Sequence, residues 1–260
     1  MILKRLGNKQ AIANDVIGYF PQHSTYIEPF FGAGGIYFNK PKAKYNLLND
    51  VDSDVFNLFQ VIRNQKNELE QAFYAMPIHT DLLKYWKTNK ETEPINKALR
   101  FLLLSNFTYL GKQDTIRLSI MDGNPGEKER FNKLINETNE KLYKATFGNF
   151  DFRIFLSNIG WHERRPNFRK RTFIYADPPY LNTTSTYSDN GWNEKDLTEL
   201  FEKLIECDCN FALSEFENDI ILEMVKKYNL NIITVGEKRN LKNMRIEILI
   251  TNYENAPTLF

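Results

Sequence analysis

Residues 172–180, TFIYADPPY, combine a strand with an abrupt stop. The segment TFIYA is rich in β-branched and aromatic residues, which predicts a buried strand. The two prolines that follow, Pro178 and Pro179, cannot donate hydrogen bonds to a sheet, so the strand must end there. The sequence therefore predicts a strand that runs into a rigid turn, with Asp177 before the prolines and Tyr180 after them.

The groups on this turn suit an amine attached to an aromatic ring. The Asp177 carboxylate and the Pro178 carbonyl are two hydrogen-bond acceptors held close together, and Tyr180 supplies a flat ring. Two acceptors can bind both hydrogens of an NH₂ group while the attached ring stacks on the tyrosine. A tight turn with an exposed tyrosine is the alternative interpretation.

Both ends of the chain alternate between strand-like and helix-like segments. We predict further strands at residues 25–28, 45–48, 210–214, 230–235 and 245–252. We predict helices at residues 8–20, after an Asp52 cap, after an Asn193 cap, and at residues 219–228. Such alternation predicts an α/β sheet with helices on both faces and ligands bound at the carboxyl ends of the strands.

The middle of the chain has a different character. Between about residues 65 and 144, charged, helix-compatible segments surround an irregular, turn-rich stretch at residues 105–130. No alternation of strands and helices is visible there. We therefore expect residues 1–64 and 145–260 to form one α/β domain, and residues 65–144 to form an inserted, mostly helical subdomain.

A second group of polar and small residues follows the first strand, in EPFFGAGG at residues 28–35. Glycines there let the backbone approach a ligand closely. The spacing is not that of a dinucleotide-binding GxGxxG motif, so phosphate binding is not our first choice. Glu28 and Asp50 would suit a ligand with an amine and ribose hydroxyls, because Asp50 ends the second strand about twenty residues beyond the glycines. Asp50 as a simple turn residue is the alternative.

These motifs, taken in order, resemble the Dam-like class of adenine-N6 DNA methyltransferases. EPFFGAGG resembles the glycine motif of that family, DPPY its catalytic motif, and Asn49-Asp50 the pair that follows its second strand. KRLGNK at residues 4–9 is similar to its N-terminal cofactor motif. FALSEFEN at 211–218 and RIEILITNY at 245–253 resemble two later strands. The chain departs from the family at Arg5, where an aromatic residue is usual, and at Glu215, where Asn is typical.

The resemblance implies a Rossmann-like, S-adenosylmethionine-dependent enzyme. It would transfer a methyl group to N6 of an adenine flipped out of double-stranded DNA. The implied cofactor-binding residues are Arg5, Lys9, Glu28, Phe30, Gly32, Gly34, Asp50 and Asp177. The implied catalytic residues are Asp177, Pro178, Pro179 and Tyr180. Residues 181–190 are polar and loop-like, and we predict that they close over the base, with an ordinary connecting loop as the alternative. The inserted subdomain would read the DNA, with Tyr109, Lys112, Arg117 and Arg130 as candidate contacts.

Composition adds few constraints. The 34 basic and 33 acidic residues nearly cancel, and the basic stretch at 162–171 fits either phosphate contacts or a solvated loop. Cys207 and Cys209 are expected to be buried thiols, and the scattered histidines suggest no metal site.

We expect a cytoplasmic monomer that contacts no membrane and has a cognate restriction enzyme as a possible partner. Cytosine N4, adenine in RNA and a non-catalytic DNA-binding role remain open alternatives.

Overall fold

The computed structural model describes residues 1–5, 7–77, 79–108, 125–161, 167–181, 191–240 and 243–254. The strands in these residues are β1 Thr25–Glu28, β2 Tyr45–Asn49, β3 Ala145–Gly148, β4 Thr172–Ala176, β5 Asn210–Phe216, β6 Asn231–Asn240 and β7 Asn243–Thr251. The α-helices are α1 Ala13–Ile17, α2 Ser53–Asn64, α3 Lys66–Ala75, α4 Thr80–Thr88, α5 Pro94–Phe107, α6 Pro125–Leu142, α7 Phe152–Ser157, α8 Glu194–Glu206 and α9 Asp219–Tyr228.

The seven strands form one mixed sheet in the order β3-β2-β1-β4-β5-β7-β6. Strand β1 is parallel to β2 and to β4, and β4 is parallel to β5. Strand β7 is antiparallel to both β5 and β6. The predicted α/β fold class is confirmed. The parallel strands bring the carboxyl ends of β1, β2 and β4 to one edge of the sheet, where a ligand is expected.

The chain divides into two compact units. The first unit contains Met1–Lys9, Gly32–Phe38 and Asp52–Phe147, and the second contains Gln10–Phe31, Asn39–Val51 and Gly148–Phe260. The first unit is mainly helical and includes all of α2 to α6. The assignment of residues 65–144 to a separate target-recognition subdomain stays a prediction.

Helix α2, in the first unit, follows its sequence pattern closely. Asp52 caps it, with its side chain accepting a hydrogen bond from the Asp54 backbone N–H. Four apolar side chains at helical spacing are buried, namely Val55, Leu58, Phe59 and Ile62. Because the cap and the apolar stripe agree, the local sequence specifies this helix without ambiguity.

In the second unit, the sheet has apolar side chains on both faces. Ile27 and Ile174 belong to a cluster that includes the buried side of α8. Their neighbours in sequence point to the opposite face, where Phe173 packs against Phe20, the ring centroids lying 4.5 Å apart. Phe20 follows α1, so helices or their flanking segments cover both faces, as predicted. Helix α8 begins with the predicted Asn193 cap.

The structure differs from the sequence-based expectation in three places. The helix predicted at 8–20 is a short 3-10 turn at Lys9–Ile12 followed by the five-residue α1, which has no side-chain cap. Strand β3 and helix α7 were not predicted, because four and six residues are too short to show a clear period.

None of the helices in the described ranges combines the length and apolar character needed to cross a membrane.

The two cysteines are buried and form no disulfide, which confirms their interpretation as buried thiols. Burial raises the pKa of the Cys207 thiol to about 12. A thiol in that environment stays protonated at neutral pH and is a poor nucleophile.

Candidate active site

The turn after β4 follows a strand that is buried along its whole length. Pro178 is buried, whereas Asp177, Pro179 and Tyr180 are partly exposed. The strand ends at Ala176, immediately before Asp177, as the double proline predicts. The turn therefore places one carboxylate and one aromatic ring at the edge of the sheet where ligands are expected.

The side chain of Tyr180 is in contact with residues of β5 and β7. Its hydroxyl donates a hydrogen bond to Glu247 Oε1 at 3.1 Å. Its ring meets the ring of Phe216 nearly edge-on, with centroids 4.7 Å apart and an interplanar angle of 82°. Desolvation raises the pKa of Tyr180 well above its usual value, and the nearby carboxylates of Asp177 and Glu247 raise it further. The phenol therefore stays protonated and acts as a donor at neutral pH.

The backbone after Tyr180 is held by a second buried carboxylate, that of Glu215 on β5. Glu215 is fully buried. Its Oε2 accepts from the Leu181 N–H at 3.4 Å, and its Oε1 accepts from the Phe216 N–H at 2.8 Å. A carboxylate at this position therefore links the end of the DPPY turn to strand β5.

Asn49, at the end of β2, connects three strand ends. Its side-chain amide donates to Pro29 O at 3.0 Å and to Phe150 O at 2.9 Å, and its Oδ1 accepts from the Phe150 N–H at 3.0 Å. Its carbonyl accepts from the Phe31 N–H at 2.9 Å. The sequence analysis quoted the Asn49-Asp50 pair in the family resemblance but assigned a role only to Asp50.

Gly148 makes this arrangement possible. A Cβ at position 148 would lie 2.9 Å from Asn49 Oδ1 and 3.1 Å from the Phe150 ring. Asn149 adds a further link, because its side chain donates to Asp50 O at 2.8 Å. The backbone around the predicted ribose-binding residue Asp50 is therefore fixed from the β3 side.

Phe30 lies in an aromatic cluster of the second unit. Its ring centroid is 5.5 Å from that of Phe152 and 5.6 Å from that of Trp192, with the indole edge-on at 89°. Neither partner was among the residues predicted from the sequence. These contacts fix the side chain of Phe30, which the family resemblance assigns to cofactor binding.

Three carboxylates at the strand ends influence one another. Glu28 is buried, and Tyr26 OH donates to its Oε2 at 2.8 Å. Desolvation raises the pKa of Glu28 well above its usual value; the hydrogen bond from Tyr26 opposes this, whereas Asp177 and Asp50 raise the pKa further. The raised pKa of Glu28 favours its protonated form, whereas Asp50 and Asp177, at the ends of β2 and β4, give this edge of the sheet a negative character that favours a ligand carrying positive charge.

Four predicted cofactor-binding residues lie in the first unit, namely Arg5, Lys9, Gly32 and Gly34. Arg5 donates to Asp52 Oδ2 at 3.0 Å, and its guanidinium lies 5.8 Å from the Phe101 ring centroid. Lys9 is buried. Gly32 and Gly34 adopt φ values of 53° and 73°, which explains why glycine is needed at both positions.

The predicted DNA-contacting residues are only partly described. Tyr109, Lys112 and Arg117 lie outside the described residues, as do residues 182–190 of the expected loop over the base. Arg130 lies on α6 with its guanidinium 4.5 Å from the centroid of the Phe131 ring.

The basic stretch at 162–171 is described only from residue 167 onward. There Arg169 donates to Cys207 O, and its guanidinium lies 4.5 Å from the Trp161 ring centroid. This arginine therefore has contacts within the second unit that account for its position.

A cavity of about 250 Å³ lies at the amino-terminal side of β1 and β2, away from the strand ends described above. Residues before both strands line it, including Phe20, His23 and Lys40. It contains none of the predicted site residues. Burial lowers the pKa of Lys40 to about 8, while the carboxylate of Glu28 opposes that change.

The sheet order, the DPPY turn and the acidic strand ends define an α/β protein with polar groups at the carboxyl ends of its parallel strands, where such folds are expected to bind ligands. The model of the D12 class N6 adenine-specific DNA methyltransferases matches residues 6–241. The chain belongs to this family. The resemblance noted in the sequence is thereby confirmed.

Individual relatives are distant. Modification methylase LlaI of Lactococcus lactis subsp. lactis is 26% identical, over 96% of this chain and 43% of that protein. The DNA adenine methylase of Escherichia coli (strain K12) is 23% identical, over 90% of this chain and 86% of that protein. The chain thus spans less than half of the first relative and most of the second. The N-terminal domain of human METTL16 in complex with SAH overlaps with a TM-score of 0.42 at 10% identity, covering 93% of this chain and 68% of that one.

Proposed function

We propose that the protein transfers a methyl group from S-adenosylmethionine to N6 of an adenine flipped out of double-stranded DNA at a specific site. The observation that supports this proposal is that β4 ends immediately before Asp177, at the sheet edge where Asp177 is close enough to Glu28 and Asp50 to interact with them electrostatically. Membership of the adenine-specific family supports adenine over cytosine as the base.

The strand-end residues of the second unit fit the charge of this cofactor. S-adenosylmethionine supplies a methyl group on a positively charged sulfonium. Asp50 and Asp177 give that edge negative potential, which favours a cation there. Asp50 would accept hydrogen bonds from the ribose hydroxyls, and the backbone of Phe30 would contact the methionine part. Arg5, Lys9, Gly32 and Gly34 of the first unit remain predicted contacts for the same cofactor.

The turn residues would prepare the amine for reaction. The N6 lone pair of adenine is delocalised into the ring, so the amine is a weak nucleophile. Acceptance of its hydrogens by the Asp177 carboxylate and Pro178 carbonyl favours a pyramidal nitrogen with its lone pair directed at the methyl group. Pro179 keeps the turn rigid, so this geometry exists before the base arrives.

The active site can reach an adenine in double-stranded DNA only if that base is flipped out of the DNA helix. Flipping costs a few kcal/mol of pairing and stacking. Stacking on an aromatic side chain returns roughly 1–3 kcal/mol per base. Tyr180 therefore offsets much of this cost, and the remainder must come from contacts with the DNA backbone.

We further propose that the helical region at residues 65–144 reads the DNA sequence, with Tyr109, Lys112, Arg117 and Arg130 as contacts. The enzyme would act as a monomer in the cytoplasm, since methylation of one strand needs no twofold symmetry. A cognate restriction enzyme is a proposed partner, in keeping with relatives that are named modification methylases.

The test is incubation of the protein with methyl-labelled S-adenosylmethionine and genomic DNA that lacks methylated adenine, followed by digestion to nucleosides. We expect label in N6-methyladenine, and none with the Asp177→Ala variant. Label in N4-methylcytosine would contradict the adenine assignment while preserving the chemistry. Cofactor binding without any label in DNA would overturn DNA as the substrate and favour RNA.

A further inference from the structure

Glu247 is a buried carboxylate in a position where burial is costly. It lies on β7, is 1% exposed, and pairs in register with Phe216 of the adjacent strand β5. A carboxylate removed from water needs strong hydrogen-bond donors to remain in place. The Tyr180 hydroxyl is one such donor, at 3.1 Å from Glu247 Oε1.

The contacts around Tyr180 constrain its ring from two directions. Phe216 meets the ring edge-on, which limits its tilt on one side. The hydrogen bond to Glu247 fixes the hydroxyl end of the Tyr180 side chain. Glu247 is 67 residues from Tyr180 in the sequence. A ring held at its edge and at its hydroxyl has a single orientation, whereas edge contact alone leaves rotation about the side-chain torsions.

We propose that Glu247 is a positioning residue for the target base, acting through the Tyr180 hydroxyl to orient the ring on which the base stacks. The inference rests on the proposed function and goes beyond it, because it assigns a role to a strand residue that does not contact substrate. Glu247 holds the ring in the orientation needed before the base arrives, so that binding loses less side-chain entropy.

Glu215 provides the internal comparison. It is the other buried carboxylate beside the turn, but its identified bonds go to the Leu181 and Phe216 backbone N–H groups. A substitution at Glu215 should affect the path of the chain. A substitution at Glu247 should affect the orientation of one ring, and its effect should depend on the Tyr180 hydroxyl.

The experiment measures kcat and KM for DNA methylation, the cofactor Kd by calorimetry and the Tm, for wild type, four variants of Tyr180 and Glu247, and two control variants that carry Glu215→Gln. Glu247→Leu removes the acceptor, and Tyr180→Phe removes the donor but keeps the ring. We expect each to lower kcat roughly tenfold, the usual scale for one hydrogen bond to a charged group, with cofactor Kd unchanged. Glu247→Gln retains an acceptor oxygen and should restore most of kcat.

The fourth variant, Tyr180→Phe with Glu247→Leu, decides between positioning and general structural support. If Glu247 acts through the hydroxyl, the double variant is no slower than either single variant. Losses that multiply would overturn the proposal, as would wild-type kcat in Glu247→Leu. As a matched control, Glu215→Gln combined with Tyr180→Phe should give losses that multiply. If wild type transfers no label to DNA, the proposed function itself fails, and this inference fails with it.

Discussion

The ends of β1 and β2 and the end of β4 share one edge of the sheet, but they are held in different ways. At β1 and β2, the Asn49 side chain bonds to backbone groups of Pro29 and Phe150. At β4, Tyr180 bonds to another side chain, that of Glu247, beside the Glu215 carboxylate that accepts from the Leu181 N–H. The Asn49 bonds fix a backbone path, whereas the bond between Tyr180 and Glu247 fixes the orientation of a single ring.

This difference matches the two tasks that we propose for the two ends. A cofactor that is bound largely by backbone groups needs a stable backbone path. The Asn49 side-chain amide can provide it at any physiological pH because the amide does not titrate. A base that enters from DNA needs a ring and acceptors already in the correct orientation. Substitutions at the two ends should therefore separate cofactor binding from methyl transfer.

Asp177→Ala should have the largest effect on activity. Loss of one acceptor aimed at the reacting amine should reduce kcat about 10²–10³-fold, by analogy with removal of a single transition-state hydrogen bond. Calorimetric titration with S-adenosylmethionine should show a much smaller change in Kd. If the cofactor Kd rose by as large a factor as kcat fell, Asp177 would be a cofactor-binding residue like those at the ends of β1 and β2.

Tyr180→Ala should come next. It removes both the ring and its hydroxyl, so kcat/KM for DNA should fall roughly 100-fold, near the upper limit for stacking of one base. Steady-state methylation with varied DNA concentration measures this. Tyr180→Phe is the matched control and should lose less, because the ring remains. Equal losses in the two variants would argue against stacking.

Asn49→Ala tests the opposite end. It leaves the backbone groups of Pro29 and Phe150 without their amide partner, which should cost about 1–3 kcal/mol of stability. We expect the cofactor Kd to rise about tenfold, by roughly the same free energy, with a smaller change in kcat at saturating cofactor.

Gly148→Ala should have a similar effect to Asn49→Ala, since its Cβ would lie 2.9 Å from Asn49 Oδ1. The two substitutions together should therefore be less than additive in denaturant unfolding. A variant pair whose effects add fully would show that Gly148 and Asn49 stabilise the strand ends independently.

His23, beside the cavity at the other side of the strands, should have the smallest effect on activity. Burial lowers its pKa to about 4, Lys40 lowers it further and the bond to Pro21 O opposes this. Between pH 6.5 and 4 the unfolded chain binds more protons at His23 than the folded chain does, so this residue makes stability fall as pH falls. The contribution should be about 1–2 kcal/mol, after allowance for the partial exposure of the ring.

Comparison of wild type with His23→Gln isolates that contribution. The difference in unfolding free energy between the two proteins should change across pH 6.5 to 4, measured by denaturant titration. Activity at pH 7.5 should be unaltered in the variant. A difference that stays constant across this range would contradict the lowered pKa.

Local signals were sufficient for much of the fold. Strands β1 and β4 and helix α9 have the predicted bounds. Asp52 and Asn193 cap the helices that they were expected to cap. These features depend on residues within one or two turns of each other, so a single stretch of sequence contains the whole signal. The roles of Asp177, Pro178 and Tyr180 stay predictions, and the structure places all three on one turn.

Only the tertiary structure determined the hydrogen bonds between residues that are far apart in the chain. Asn49 bonds to Phe150 across 101 residues, and Tyr180 bonds to Glu247 across 67. Strand β3 is four residues long and was recognised only through its place in the sheet. The sequence by itself determined strands β1 and β4, the stop after β4 and the chemical groups at these strand ends. The pairing of those groups depends on which strands become neighbours, a property of sheet order that no local pattern encodes.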